Sequence, residues 1–234
     1  MRPILSSIFF LLFITIIQAQ KVSKLDSLKN VLAHLPAEGK SFAGDTLRVR
    51  VLCEMGEVET NPKKSHEYLS TAILITEKQN DKKGQLLVLD KFSKLYYFQP
   101  VRVIEYYMKG LAIAEDIHDY EKIIRYTDRI RNNYSNLKDD ENTMKFAKYN
   151  LSINKKYGTL EAQLLSMNNI GAVYFEMEKY DVALDFFLNI HKLNTNLKSK
   201  KIESAYLINS AKVYVRKKQN QKALINLREA LDYV

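Results

Sequence analysis

Asn168-Asn169-Ile170-Gly171-Ala172-Val173-Tyr174 and, after five intervening residues, Tyr180-Asp181-Val182-Ala183-Leu184-Asp185-Phe186-Phe187 decide the fold. Leu164, Met167, Ile170, Gly171 and Tyr174 recur three or four residues apart, which is the apolar face of a 3.6-residue period. Glu178-Lys179 interrupts that face. Tyr180, Ala183, Leu184, Phe187 and Ile190 then build a second face of the same period. The spacing predicts two helices joined by a tight turn. Small Gly171 and Ala183 mark where the two must approach closely, and Tyr174 and Phe187 fill the space beside them.

Outward from this stretch the pattern repeats every 40 residues. Tyr134, Tyr174 and Tyr214 keep that spacing, as do Ile130, Ile170 and Ser210. Thr143, Ala183 and Ala223 form another column, and Ala147, Phe187 and Leu227 a further one. Val103 and Tyr107 extend the last two columns one step back. A helix pair cannot bury such faces alone, so neighbouring pairs must stack on one another. The resulting expectation is an N-terminal helix over 21–35, a loop over 36–44, and five helix pairs. The pairs are 45–59 with 62–79, 84–97 with 100–117, 120–136 with 140–157, 160–177 with 180–196, and 201–217 with 220–234. Pro62 and Pro100 each open a second helix, where the missing N–H costs nothing because it has no helical partner anyway. Asp139-Asp140 offers acidic caps at the same place one unit later.

The quoted stretch resembles a tetratricopeptide repeat. That family's pattern of Gly, then Tyr three on, Ala twelve on and Phe sixteen on is met by Gly171, Tyr174, Ala183 and Phe187. Ala211, Tyr214, Ala223 and Leu227 follow it with Ala for Gly and Leu for Phe. Ile130-Arg131, Tyr134, Thr143 and Ala147 are a degenerate version, and Val103–Glu115 and Ser65–Ala72 look like second helices of two earlier units. The resemblance covers roughly 43–234 and implies an all-α fold: an α-solenoid, wound as a right-handed superhelix of about five hairpins. The 40-residue period exceeds the usual one of about 34, as in the extended arrays of exported signalling proteins of Bacteroidetes-type bacteria.

Composition agrees and narrows the function. Gly (7) and Pro (4) together make about 5% of 234 residues, against roughly 12% in average usage. So few turn-formers exclude a sandwich or barrel of short strands, and no phosphate-cradling GxGxxG or GxxxxGK[ST] occurs. One cysteine, Cys53, excludes an internal disulfide framework and reads as a small core residue. His34, His66, His118 and His191 are scattered with no HExxH, so no metal site is expected. No GxSxG elbow is present, and the carboxylate pairs Asp139/Asp140 and Glu176/Glu178 fall at turns and solvated faces. The chain therefore reads as a non-enzyme without cofactors.

The first nineteen residues read as a secretory signal. Arg2 is the only charge before Lys21, Ile4 to Ile17 are nearly all apolar, and Ala19 supplies a small residue for cleavage before Gln20. This divides the chain into a signal peptide (1–19), an N-terminal helix and loop (20–44) and a repeat array (45–234). Cleavage removes Arg2 and lowers the net charge from +9 to +8. The expected location is periplasmic or secreted, which argues against nucleic acid as the partner of so basic a chain, and no later stretch is apolar enough to span a membrane.

Groove positions of the family can be carried over residue by residue. They select Arg125, Arg129, Asn132 and Asn136 in the third pair, Asn169 and Phe175 in the fourth, and Asn209, Lys212 and Arg216 in the fifth. Asn both donates to and accepts from a peptide backbone, and Arg and Lys favour a carboxylate or acidic segment. The expected partner is a protein or peptide in the concave groove. Tyr96, Tyr97, Tyr106 and Tyr107 read as core and inter-repeat packing, and Lys198, Lys200 and Lys201 as an exposed loop. Leu231, Tyr233 and Val234 leave the last pair without a polar cap, a face suited to self-association. An alternative expectation is the sensory half of a transmembrane regulator whose histidine-kinase or DNA-binding output lies outside this chain.

Overall fold

A computed structural model describes residues 20–233. The signal-peptide reading of 1–19 and the apolar terminal Val234 lie outside them. Among the described residues there are helices and turns but no strand. The helices are α1 (20–34), α2 (Phe42–Val58), α3 (Pro62–Lys78), α4 (Lys82–Leu95), α5 (Pro100–Asp116), α6 (Tyr120–Asn136), α7 (Asp140–Tyr157), α8 (Leu160–Glu176), α9 (Tyr180–Leu197), α10 (Lys200–Arg216) and α11 (Asn220–Ala230). Contacts divide the chain into two compact units, Met1–Ile113 and Ala114–Val234, with the division inside α5.

Local chemistry explains the helix starts. Each first helix after a turn is capped by a short polar side chain accepting a backbone N–H: Ser41 from Gly44, Asp81 from Gly84, Asp119 from Lys122, Thr159 from Ala162 and Ser199 from Ile202. Such caps contribute about 1 kcal/mol each. Pro62 stands in the first turn of α3 behind the capping Asn61, and Asp139 caps α7. The first helices α6, α8 and α10 end in a repeated turn. Lys138, Glu178 and Lys218 adopt left-handed φ values of 58°, 59° and 58°. The following N–H groups of Asp139, Lys179 and Gln219 bond back to the carbonyls of Tyr134, Tyr174 and Tyr214. This six-to-one bond satisfies carbonyls that a helix end would otherwise leave open.

In the first unit α2, α3 and α4 pack on one another. Val49, Leu52, Cys53, Leu69, Ala72, Ile75, Val88 and Phe92 form their core, with Leu32 of α1 against it. Tyr106 of α5 stacks on Phe92 at 4.7 Å between ring centres and on Tyr96 at 5.7 Å. Tyr96 and Tyr106 are thus packing residues as expected. Tyr97 is not: it is 72% exposed, in the turn after α4, beside a Phe98 that is 92% exposed. The helix ends at Leu95, two residues before the expected 97, and its turn carries Tyr97 outward.

The second unit runs through α6 to α11, each helix packed on the next, with α10 also reaching α8. Two of the 40-residue columns lie wholly in its interior: Ile130, Ile170 and Ser210 are buried, as are Thr143, Ala183 and Ala223. Gly171 meets Phe187 as the sequence implied, since a Cβ built on it would lie 2.6 Å from Phe187 Cε1. Two expectations are corrected here. Lys200 and Lys201 open α10 instead of lying in a loop, because Ser199 caps there and only Lys198 takes the left-handed turn. α11 stops at Ala230, and Leu231–Tyr233 continue as a 3-10 turn. Leu224, Ile225, Leu227 and Leu231 remain exposed on it.

Candidate functional site

All nine residues selected from the sequence lie in the second unit, on α6, α8 and α10. Spacings of three, four, seven and eleven residues place those of α6 and those of α10 along one face of each helix, whereas Phe175 stands six residues after Asn169, about a third of a turn round α8. The three faces are laced by diagonal contacts between residues 41 apart. Asn169 Nδ2 donates to Asp128 Oδ1 at 3.3 Å, and Asn209 Nδ2 donates to Asn168 Oδ1 at 2.9 Å. The Arg216 guanidinium lies 5.9 Å from the Phe175 ring centre. Lys212 Nζ donates to Asn209 Oδ1 at 3.1 Å. Arg125, Arg129, Asn136, Lys212 and Arg216 are exposed, while Asn132, Asn169, Phe175 and Asn209 are half-buried.

Asp128, which the sequence reading did not select, is the hub of this face. It accepts from Arg131 at 2.8 Å, Asn132 at 3.2 Å and Asn169 at 3.3 Å. Asp128 and Asn168 each stand one residue before the column Arg129, Asn169 and Asn209. A diagonal bond between successive helices needs both positions, and a search for identical residues at 40-residue spacing finds only one of them.

Between α6, α7 and α8 this face opens into a pocket of about 370 Å³. Ile124, Arg125, Asp128 and Arg131 line it from α6, and Ala162, Leu165 and Asn169 from α8. Its floor is a buried amide network. Asn150 Nδ2 donates to the Ile124 carbonyl at 2.7 Å and to Thr127 Oγ1 at 2.8 Å. Asn150 Oδ1 accepts from Ser166 Oγ at 2.7 Å and from Asn154 Nδ2 at 3.0 Å. Buried polar groups must find such partners, and these fix α7 between α6 and α8. The network fell outside the sequence reading because Asn150 and Ser166 break the apolar columns: the residues 40 positions on are Ile190 and Tyr206.

A second pocket, of about 360 Å³, lies in the first unit among α2, α3 and α4. Glu57 on its wall bonds Lys91 at 2.8 Å and Lys94 at 3.1 Å. Burial raises the Glu57 carboxyl, but the two ammonium groups outweigh it and hold the group below the usual carboxylate range. Nearby Cys53 is buried, and burial pushes its thiol up to about 12, so it is a core residue and not a nucleophile. Among the described residues no three His, Cys, Asp or Glu side chains converge as metal ligands, and no helix is long and apolar enough to cross a membrane.

Fold and face together define an all-α helical-repeat protein of tetratricopeptide-like hairpins. Residues 161–233 match the tetratricopeptide repeat family. No curated protein matches the sequence. Among solved structures the chain is similar to BtubC (BKLC) from P. vanneervenii, with a TM-score of 0.67 and 16% identity, over 92% of this chain and 89% of that one. It is also similar to the STAND protein PH0952 from Pyrococcus horikoshii, which carries a tetratricopeptide repeat sensor, with a TM-score of 0.67 and 16% identity over 89% of this chain. There the match spans only 34% of the other chain. A Rap protein complexed with Competence and Sporulation Factor aligns with a TM-score of 0.58 and 13% identity, over 89% of this chain and 57% of that one.

Proposed function

We propose that the chain is a non-catalytic, exported binding module that receives an acidic segment of a peptide or protein on the α6, α8 and α10 face. The observation that carries this is the pairing of exposed cations, Arg125, Arg129, Lys212 and Arg216, with half-buried Asn169 and Asn209 on one face. Guanidinium and ammonium groups attract carboxylates. The amides now bonded along the face can exchange those bonds for a peptide backbone at little net cost, since one hydrogen bond replaces another. A solved relative of the same fold is complexed with Competence and Sporulation Factor, which supports reading the fold as a ligand receiver. Action outside the cytoplasm rests on the sequence of residues 1–19.

The test is binding of a fluorescein-labelled peptide rich in Glu and Asp, set against a Lys-rich peptide, to the chain from Gln20 onward. Binding is expected for the acidic peptide alone, to fall with salt, and to weaken at least tenfold in Arg129→Glu/Lys212→Glu. Tenfold corresponds to about 1.4 kcal/mol. Unchanged binding in that double variant refutes the assignment of the face.

A second reading, the sensory half of a larger regulator, is favoured by the likeness to PH0952, in which the matching part is a third of the protein. Reading the gene beyond codon 234 tests it: a membrane helix and an output domain are expected there, and a stop codon refutes it.

A further inference from the structure

The turn between α4 and α5 carries apolar surface into solvent. Tyr97 and Phe98 are 72% and 92% exposed, and Val101, in the first turn of α5, is exposed as well. Apolar residues scattered singly on a surface need no explanation, but a contiguous exposed group marks a contact. These three fall within five residues, and the two rings meet edge to face at 5.2 Å between centres. The tip is held in this shape. The Tyr97 N–H donates to the Lys94 carbonyl at 3.2 Å, and the Gln99 N–H to the Tyr96 carbonyl at 2.7 Å. Beside them the Tyr96 hydroxyl and His66 Nδ1 are hydrogen-bonded at 2.8 Å, and the Tyr96 ring stacks on Tyr106. Pro100 then fixes the backbone as α5 begins. The rings are presented without the ordering cost that a loose loop meets on binding.

The charges around the tip select its partner. No Asp or Glu occurs from Lys91 to Ile104, whereas Lys91, Lys94 and Arg102 lie in that stretch. Lys94 and Arg102 stand four residues either side of Phe98, in the last turn of α4 and the first turn of α5. Exposed Lys63 and Lys64 lie in the first turn of α3, which the His66–Tyr96 bond fixes beside the tip. Two carboxylates at this end of the unit are engaged: Glu57 is shared by Lys91 and Lys94, and Glu59 accepts the N–H groups of Thr60 and Asn61. A Phe at the apex, a phenol next to it and cations in the helical turns behind follow the layers of an anionic bilayer, which are hydrocarbon, interface and phosphate. A convex tip of two splayed rings also suits a fluid phase, which closes around any shape, whereas a protein partner would need a pocket cut to it. We infer that the α4–α5 turn is a peripheral membrane anchor that inserts Phe98 and Tyr97 among the lipids of an anionic bilayer, with Arg102, Lys94, Lys63 and Lys64 against the headgroups. It lies in the first unit and is independent of the peptide-binding face on α6, α8 and α10.

The experiment uses the chain from Gln20 onward, without the apolar stretch before it, and sucrose-loaded vesicles. These are made of phosphatidylcholine alone, or of phosphatidylcholine and phosphatidylglycerol in equal parts. Co-sedimentation with the anionic vesicles is expected, falling with salt and weak with phosphatidylcholine alone. Tyr97→Ser/Phe98→Ser, whose fold is checked by circular dichroism, is expected to bind at least tenfold more weakly. The chain contains no Trp, so Phe98→Trp places a single indole at the tip. Its emission is expected to move to the blue on anionic vesicles and to be quenched by lipids brominated in the acyl chain. Leu74→Trp, at an exposed position in the last turns of α3, is expected to show neither effect. Absence of co-sedimentation, binding undiminished in the double serine variant, or equal blue shifts in the two tryptophan variants each overturns the inference. Dimerisation of the parent chain in sedimentation velocity that the serine variant loses, without vesicle binding, assigns the tip to a second copy and overturns it as well.

Discussion

Replacing Gly171 with alanine sets two opposed effects against each other, and the structure says which prevails. Alanine in a helix interior is favoured over glycine by about 1 kcal/mol. Here the added Cβ would sit 2.6 Å from Phe187 Cε1 and 3.1 Å from two further ring carbons. Phe187 is 1% exposed, so the ring cannot swing into solvent. Overpacking of this kind costs about 1–3 kcal/mol, leaving Gly171→Ala destabilised by roughly 0–2 kcal/mol. The partner change, Phe187→Leu, loses ring contacts at a cost of roughly 1–2 kcal/mol, a part of the Phe→Ala penalty. Together they recreate a pair that the chain already contains, Ala211 with Leu227, forty residues on. The double variant therefore keeps the helix gain without the clash, and a coupling of about 1–3 kcal/mol in its favour is expected. Urea unfolding followed by circular dichroism measures the four corners of the cycle. Because the chain has two compact units, hydrogen exchange of the α8 and α9 amides localises the effect. Gly171→Ala raising stability by about 1 kcal/mol in both backgrounds, with no coupling, would falsify the close approach of α8 and α9.

Two further outcomes follow from titrating groups. Cys53 is buried with its thiol raised to about 12, so the folded chain at pH 8 should not react with a maleimide, whereas urea should release reactivity. Its raised value also means that its contribution to stability is full below the ordinary thiol range and is lost as pH climbs toward 12. Rapid labelling of the native chain would contradict its burial. Glu57 is held below its ordinary range by Lys91 and Lys94, so its contribution is present at neutral pH and disappears as pH falls through the carboxylate range. Partial exposure limits that contribution to under about 1 kcal/mol. Glu57→Gln should accordingly be less stable than the parent at pH 7 and equal to it near pH 3, and a difference that persists in acid counts against the ion pairs.

The helices were legible because each repeat writes its inner face twice, at a 3.6-residue period and again 40 residues on. Gly171, Ala183 and Phe187 can be paired from their spacing alone because small-beside-large is how two helices approach. The turns were legible from Pro62 and Asp139, while the caps Asp81, Asp119, Thr159 and Ser199 differ in identity and share only a short oxygen-bearing side chain. Tyr97 was misplaced because aromatic character does not say on which side of a helix end a residue falls.

The amino-acid order thus determined the helical periods, the stacking of hairpins and which faces are apolar, all of which follow from local geometry and burial. Packing alone decided which polar side chains meet. Asp128 gains its role from Asn169, 41 residues away, and Asn150 from Ser166 on another helix. Such bonds depend on the offset between neighbouring helices, a quantity of a few ångströms that side-chain volumes fix collectively and that no single position in the chain records.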